Sequence, residues 1–143
     1  CAACDICKKN TFRCPVNDGM QGLYPLLDEA DLLIVGTPNY WFGPSAQTKL
    51  FIDRLRPYTS NKKLSGKTAV LAVAAADGPE ACGPMVEMFA RSFAYLNMTF
   101  FGKVLGTAYT RKEILNHPDT LTRARELGKA LQERNKTELP ASV

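Results

Sequence analysis

Three short apolar runs of strand length interrupt the polar sequence. They cover residues 32–35, 67–73 and 99–105. The first run, Leu32-Leu33-Ile34-Val35, shows no alternation of polar and apolar positions, which is typical of a strand buried on both faces of a parallel sheet. The pattern therefore predicts three strands of a sheet that is covered on both sides.

Helical periodicity fills the intervals between these runs. The predicted helices cover residues 19–30, residues 45–56, a segment that begins at Pro84, and a last segment that begins at Pro118 and ends before Pro140. Asp18 followed by Gln21 gives the first helix a capping-box spacing. Helices and strands alternate, which predicts an α/β fold with a doubly wound parallel sheet between two helical layers. Ligands are then expected beyond the carboxyl ends of the strands.

Composition places the chain among globular proteins. Its 143 residues, 45% hydrophobic and 22% charged, predict one domain: a cysteine-rich segment at 1–17, a body at 18–135 and a tail at 136–143. No apolar run approaches the ~20 residues that a membrane span needs, and no leader pattern precedes the first polar stretch, so a cytoplasmic location is expected. Lys and Arg are interleaved with Asp and Glu, which argues against a nucleic-acid partner.

Four of the five cysteines lie close together near the beginning of the chain. Cys1, Cys4, Cys7 and Cys14 form the spacing C-x2-C-x2-C-x6-C. Two-residue gaps turn successive thiolates toward one point, and four such ligands can surround a [4Fe-4S] cluster. Two alternatives stay open. The cysteines could bind zinc, although the two halves of a zinc site usually stand ~12 or more residues apart, or they could form structural disulfides. The fifth, Cys82, is predicted to be a buried cysteine without a chemical role.

The segment 36–45 after the first predicted strand has an unusual composition for a connecting loop. It holds two glycines, two prolines and the aromatic run Tyr40-Trp41-Phe42. Glycine lets a ligand approach the backbone, proline stiffens the loop, and aromatic rings offer flat surfaces to a ring system. A flat aromatic cofactor is one interpretation. A rigid loop that covers the end of the sheet or a subunit interface is the other.

The stretch 30–40, continued by 43–45 and 49–54, resembles the flavodoxin-like FMN reductase superfamily. The resemblance implies that the first loop lies beside the flavin of FMN, with contacts from Thr37, Pro38, Asn39, Tyr40, Trp41 and Gly43. It implies a second contact from Ala76, Asp77 and Gly78, for which an ordinary turn is an equal alternative. Lys49, Phe51, Asp53 and Arg54 are then expected to be packing and surface residues without chemistry.

The four cysteines upstream of this loop are similar to those of the iron-sulfur flavoproteins. That resemblance implies that the same subunit holds FMN and a [4Fe-4S] cluster ligated by the four cysteines. It further implies a homo-oligomer, a dimer or tetramer, that passes electrons from a ferredoxin-like donor through the cluster and FMN to an acceptor. Members of the family begin with a βαβ segment of about 40 residues that is absent here, so the strand at 32–35 is expected to have an unpaired edge and the FMN phosphate to lack its cradle.

Two other functions stay open at this point. The chain could be an NAD(P)H-dependent FMN or quinone reductase whose cysteines bind zinc or nothing, although it has no dinucleotide fingerprint. It could instead be a non-enzymatic zinc-bearing module that docks a partner protein. Electron transfer between a cluster and FMN requires no general acid or base from the chain, so no catalytic side chain is predicted. The single histidine, His117, is expected to lie at a helix start.

Overall fold

Helices and strands alternate along the chain in the computed structural model, which describes residues 1–9 and 13–138, the side chains of 135–138 excepted. The strands are β1 Leu32–Tyr40, β2 Gly43–Pro44, β3 Thr68–Ala75 and β4 Thr99–Thr107. The α-helices are α1 Ile6–Lys9, α2 Met20–Glu29, α3 Ala46–Asp53, α4 Tyr58–Asn61, α5 Gly83–Tyr95 and α6 Pro118–Glu138, with 3-10 helices at Pro79–Cys82 and Glu113–Asn116. The predicted tail is helical in its first three residues, and 139–143 lie outside the described residues.

The four strands form one sheet in the order β2-β1-β3-β4. β1 and β4 both run parallel to β3, which confirms the predicted parallel sheet, and the β1–β3 register runs from Leu32 opposite Thr68 to Pro38 opposite Ala74. β2 is antiparallel to the end of β1. Crossovers from strand to helix to strand therefore bring the carboxyl ends of β1, β3 and β4 to the same edge of the sheet.

The segment 36–45 is a hairpin, which corrects its prediction as a loop. Residues 37–40 continue β1, and Tyr40 pairs with Gly43, so only Trp41 and Phe42 lie between the strands. Both of these residues have positive φ angles, 51° and 62°. The chain can therefore reverse within two residues, and the end of β1 pairs with the residues that follow it.

β1 is less buried than its apolar sequence predicts. Ile34 is 59% exposed while its neighbour Val35 is 6% exposed, so the prediction that this strand is buried on both faces is wrong. In the described part of the chain, Leu32–Pro38 pairs with β3 on one side only. The face of β1 that carries Ile34 is open as well.

Helix α3 is shorter than predicted because of Pro57. Ser45 caps its beginning by accepting a hydrogen bond from the Thr48 amide at 3.3 Å. Proline lacks an amide hydrogen and disfavours helical geometry in the residue before it, so the helix predicted over 45–56 ends at Asp53. The turn that follows leads into α4 and carries Arg54 and Arg56 back toward the beginning of the chain.

The core lies between the sheet and helices α2, α4 and α5. Its largest fully buried side chains include Tyr58, Leu71, Phe89 and Phe93. Phe93 contacts both Phe89 and Phe100 with ring centroids 5.7 and 5.5 Å apart, which fastens α5 to β4. This core fixes the positions of the two loops and the cysteine segment described next.

Candidate cofactor site

The hairpin turn between β1 and β2 holds two aromatic residues in a strained conformation. Two-residue hairpin turns with positive φ at both positions favour Asn-Gly, because a side chain with a bulky Cβ substituent is crowded there. A non-glycine residue pays about 1–2 kcal/mol for left-handed geometry. Trp41 is 96% exposed and Phe42 is 58% exposed, so packing within the described chain does not offset this cost. Strain of this kind is concentrated at binding sites.

A hydrogen bond joins this hairpin to the second predicted loop. Asn39 Nδ2 donates to the Ala81 carbonyl at 3.2 Å, which ties the end of β1 to the 3-10 helix that follows Gly78. The Oδ1 atom of Asn39 is buried and has no partner among residues 1–9 and 13–138. The structure therefore brings the two predicted flavin loops together and leaves an acceptor on Asn39.

The remaining predicted flavin residues divide into exposed and structural groups. Tyr40, Ala76 and Asp77 are exposed at the carboxyl edge of the sheet. Thr37 is 6% exposed, and its Oγ1 accepts a hydrogen bond from the Ser45 amide at 3.1 Å inside the hairpin. Gly78 is buried with a φ of 85° and donates its amide to the Ala75 carbonyl, which is the geometry of a turn. Pro38 and Gly43 are half-buried within the strands.

The second candidate site is a cavity lined by the four spaced cysteines. Cys1, Cys4, Cys7 and Cys14 share its wall with Arg54 and Arg56. Cys7 is 5% exposed, and burial, followed by the proximity of Cys14 and Cys4, raises the pKa of its thiol. All five cysteines are free thiols, and Cys82, fully buried at the 3-10 helix, is not part of this wall.

Hydrogen bonds and ion pairs attach the cysteine segment to the body of the fold. Gln21 Nε2 donates to the carbonyls of Cys14 and Val16 at 2.8 and 2.6 Å. The predicted capping box is therefore only half present: Asp18 Oδ1 accepts from the Met20 amide at 3.0 Å, whereas the Gln21 side chain binds the segment before the helix. The cysteine segment is held in place by α2.

Two arginines from the turn after α3 complete this attachment. Arg56 Nη2 donates to Asp5 Oδ1 at 2.7 Å, and Arg54 Nη1 forms an ion pair with Asp18. Arg54 is 7% exposed, so of the packing and surface residues predicted over 49–54 it is one that packs and does not lie on the surface. Asp18 lies 36 positions before Arg54 in the sequence, so no local spacing could have indicated this ion pair.

The cysteine cavity is small, and its donor set is that of a soft metal site. Its volume is about 10 Å³, and within residues 1–9 and 13–138 no three His, Cys, Asp or Glu side chains are arranged to hold a metal ion. The wall nevertheless offers four thiols, and its carboxylates Asp5 and Asp53 are paired with Arg56 and Lys49. Thiolates suit iron-sulfur clusters and zinc, whereas magnesium and calcium require oxygen ligands. The donor types of this wall suit a thiolate-bound group, but among the described residues the side chains are not arranged to hold one.

Comparison with known proteins assigns the chain to a family. Residues 2–110 match the family described as NADPH-dependent FMN reductase. The chain belongs to this family. It is 32% identical over 121 residues to the putative NAD(P)H-dependent FMN-containing oxidoreductase YwqN of Bacillus subtilis. The alignment covers 79% of this chain and 67% of that protein. This family membership confirms the predicted oxidoreductase class and supports FMN as the cofactor.

Two further relatives bear on the fold and on the cysteines. The Trp repressor binding protein of Bacillus subtilis superimposes with a TM-score of 0.72 and 31% identity over 80% of this chain and 73% of that one, which confirms the flavodoxin-like fold. The iron-sulfur flavoprotein MJ1083 of Methanocaldococcus jannaschii is 36% identical over 74 residues, 49% of this chain. The match spans only 38% of that archaeal protein.

No described helix is long and apolar enough to cross a membrane.

Proposed function

We propose that this chain is an electron-transfer flavoprotein that binds FMN beside the hairpin and a [4Fe-4S] cluster at the cysteine cavity. The observation that supports the proposal is that Cys1, Cys4, Cys7 and Cys14 line one cavity in a member of an FMN reductase family. When bound, the cluster supplies one-electron transfer and FMN supplies both one- and two-electron transfer, so together they connect a ferredoxin-like donor to an acceptor.

At the flavin site the chain supplies a stacking surface and a hydrogen-bond acceptor for the ring. The exposed ring of Trp41 offers a stacking surface, and the buried Oδ1 of Asn39 is an acceptor that lacks a donor within the described residues. Ala76 is exposed, and its small side chain allows close approach. Thr37 contributes indirectly because its hydroxyl holds the hairpin closed.

At the cysteine site the chain supplies sulfur ligands from a segment fixed at both ends. Asp5 is fixed to Arg56, and the carbonyl of Cys14 is fixed to Gln21, so Cys7 and Cys14 are held against the body of the fold. Burial of Cys7 keeps water away from this part of the wall. Cys1 and Cys4 are exposed, which gives a redox partner access to the site from solvent.

The hairpin also offers a surface for self-association. Its exposed aromatic side chains suit burial in a homo-oligomer; they are Tyr40, Trp41 and Phe42.

A second function is favoured by the family description and by YwqN. In that function NAD(P)H reduces FMN directly, and the cysteines bind zinc or remain free. The two functions differ in whether iron is present and in whether NAD(P)H bleaches the flavin without an added carrier. They can therefore be separated by cofactor analysis.

The first prediction concerns the cofactor content of the full chain purified without oxygen. We expect about four iron and four sulfide per chain together with one FMN. Cys7→Ala removes a buried thiol from the cavity wall and is expected to abolish the iron while FMN is retained. Cys82→Ala is the control for iron, since Cys82 is also buried but is not part of the cavity wall, and it is expected to keep the iron.

Each other result supports a different function. Flavin without iron, bleached rapidly by NAD(P)H, would establish the reductase and remove the cluster from the proposal. Zinc without iron or flavin would contradict both redox functions and support the non-enzymatic module. Equal loss of iron from the two alanine variants would show that iron content follows stability and is not set by the cavity.

A further inference from the structure

The loop after β4 lies beside both predicted flavin segments. The Ala108 amide donates to the Ala75 carbonyl at 3.1 Å, so this loop begins next to the residues that follow β3. Lys112 lines a groove of about 450 Å³ together with Thr37 of β1. Residues 108–112 therefore lie at the carboxyl edge of the sheet, where α/β folds bind their ligands.

A carboxylate at the end of this loop fixes its backbone. Glu113 Oε2 accepts hydrogen bonds from the amides of Tyr109 and Thr110 at 2.9 and 2.7 Å. It also accepts from the Thr110 hydroxyl at 3.0 Å. Lys112 has a φ of 69°, a left-handed conformation that is costly for a residue other than glycine. These hydrogen bonds order the loop before any ligand binds.

Two adjacent cations of this loop are not neutralised by the fold. Arg111 and Lys112 are both exposed, and neither side chain forms an ion pair or a hydrogen bond within residues 1–9 and 13–138. The neighbouring carboxylate of Glu113 is occupied by the loop itself. The loop thus presents two positive charges, which attract a doubly charged anion more strongly than a singly charged one.

The family description indicates which anion these charges suit. The matching family is described as NADPH-dependent, and NADPH differs from NADH only by a phosphate on the ribose of its adenosine. A phosphate of this kind carries a charge near −2 at neutral pH. In dinucleotide-binding folds a nearby arginine accommodates it. Arg111 offers a planar fork that can bind two phosphate oxygens, and Lys112 adds a point charge.

We infer that Arg111 and Lys112 select NADPH over NADH by binding the phosphate that distinguishes them. The inference rests on the second proposed function, in which NAD(P)H reduces FMN directly. This phosphate is remote from the nicotinamide ring, which gives up the hydride. The two side chains therefore contribute to binding and not to the chemical step, so their loss changes the affinity for NADPH and leaves the limiting rate unchanged.

The test follows flavin reduction in the full chain loaded with FMN. Anaerobic stopped-flow bleaching with NADPH or NADH gives an apparent Kd and a limiting rate for each donor. Arg111→Gln and Lys112→Gln are compared with the wild type. Lys62→Gln is the matched control, because Lys62 is also exposed with a positive φ, 58°, but lies between α4 and β3. Calorimetric titration with adenosine 2′,5′-bisphosphate, which has the phosphate but no nicotinamide, measures binding without the redox step.

We expect the wild type to bind NADPH about a hundredfold more tightly than NADH, about tenfold from each cation. Each glutamine variant is expected to weaken the binding of NADPH and of adenosine 2′,5′-bisphosphate about tenfold. Binding of NADH and both limiting rates are expected to stay unchanged, and Lys62→Gln to match the wild type.

The possible failures separate the inference from the function on which it rests. Equal binding of NADPH and NADH by the wild type, or an unchanged preference in both glutamine variants, would overturn the inference while NAD(P)H remains the reductant. No bleaching of the wild-type flavin by either donor would overturn the second function and the inference with it.

Discussion

At the scale of single residues, the turn Trp41-Phe42 places two exposed aromatic side chains in a left-handed backbone conformation that lowers stability. The double substitution Trp41→Asn with Phe42→Gly supplies the residues that this turn geometry prefers. We expect the free energy of unfolding to rise by about 1–2 kcal/mol, because the left-handed backbone is no longer crowded by large side chains. FMN binding is expected to weaken about tenfold, since the stacking surface is lost. Urea denaturation and fluorescence titration with FMN measure the two effects.

Tyr95→Gln is the control for this turn variant. Tyr95 is 66% exposed at the end of α5 and is not part of the hairpin, so its loss is expected to leave the FMN affinity unchanged. A double variant that binds FMN as tightly as the wild type would show that the strained aromatics serve another purpose, such as burial between subunits.

The residue types of the candidate sites are visible in the sequence, but not all of their surroundings are. The cysteine spacing predicts one shared ligand site. The structure places all four cysteines along one cavity wall, and their action as ligands stays a prediction. Arg54 gave no such signal, since its contact with Asp18 depends on how α2 packs beside the turn after α3. The left-handed geometry of Trp41 was equally hidden, because aromatic residues do not predict positive φ.

At the scale of elements, α6 packs closely on β4 because β4 carries glycine where the helix crosses it. A methyl group built at Gly106 would come within 2.8 Å of Thr120 Cγ2 and would also meet Ile114. Gly106→Ala is therefore expected to lower the free energy of unfolding by about 1–3 kcal/mol through overpacking. Urea denaturation followed by circular dichroism measures the change.

Gly128→Ala provides the matched comparison for this packing prediction. Gly128 lies inside α6, and an added Cβ meets nothing within 4 Å. The same substitution is expected to stabilise the chain there by roughly 0.5–1 kcal/mol, because alanine is the better helix former. Destabilisation by both variants, or by neither, would contradict the assignment of close packing at Gly106.

The order of the helices and strands was predictable because each carries its own periodicity or apolar run. The ends of these elements were less predictable where strand pairing determines them. β1 continues to Tyr40 only because the chain folds back on it as β2, and α1 and α4, four residues each, are too short to show a repeat. The exposure of Ile34 had no local signal either, since it reflects which neighbours β1 has in the sheet.

At the scale of the whole molecule, long-range contacts join the cysteine segment, α2 and α4 into one unit. Tyr58 Oη donates to Asp28 Oδ1 at 2.9 Å, and Tyr24 Oη donates to the Arg54 carbonyl at 2.9 Å. The two rings lie 6.1 Å apart. Loss of either hydroxyl contact therefore affects both the core and the wall of the cysteine cavity, and the alkaline stability of the chain reports on this unit.

Burial raises the pKa of Tyr24 to about 12, and burial together with the Asp28 carboxylate raises the pKa of Tyr58. A tyrosine in the unfolded chain ionises near pH 10. The folded chain resists ionisation of these two hydroxyls, so their contribution to the free energy of unfolding is constant below about pH 10 and falls as the pH rises from there toward the folded pKa values. We expect urea denaturation between about pH 8 and pH 11.5 to show this loss.

Tyr58→Phe tests this assignment. The variant is expected to reduce the slope of the unfolding free energy at alkaline pH by up to about 1.4 kcal/mol per pH unit. It is also expected to lower the free energy of unfolding by about 1.5–3 kcal/mol at pH 7, because Asp28 loses its hydrogen-bond donor. Tyr109→Phe, at an 83% exposed position, is expected to follow the wild type throughout. An unchanged alkaline slope in Tyr58→Phe would place the titrating group elsewhere and would separate the alkaline loss of stability from the contacts that hold the cysteine segment.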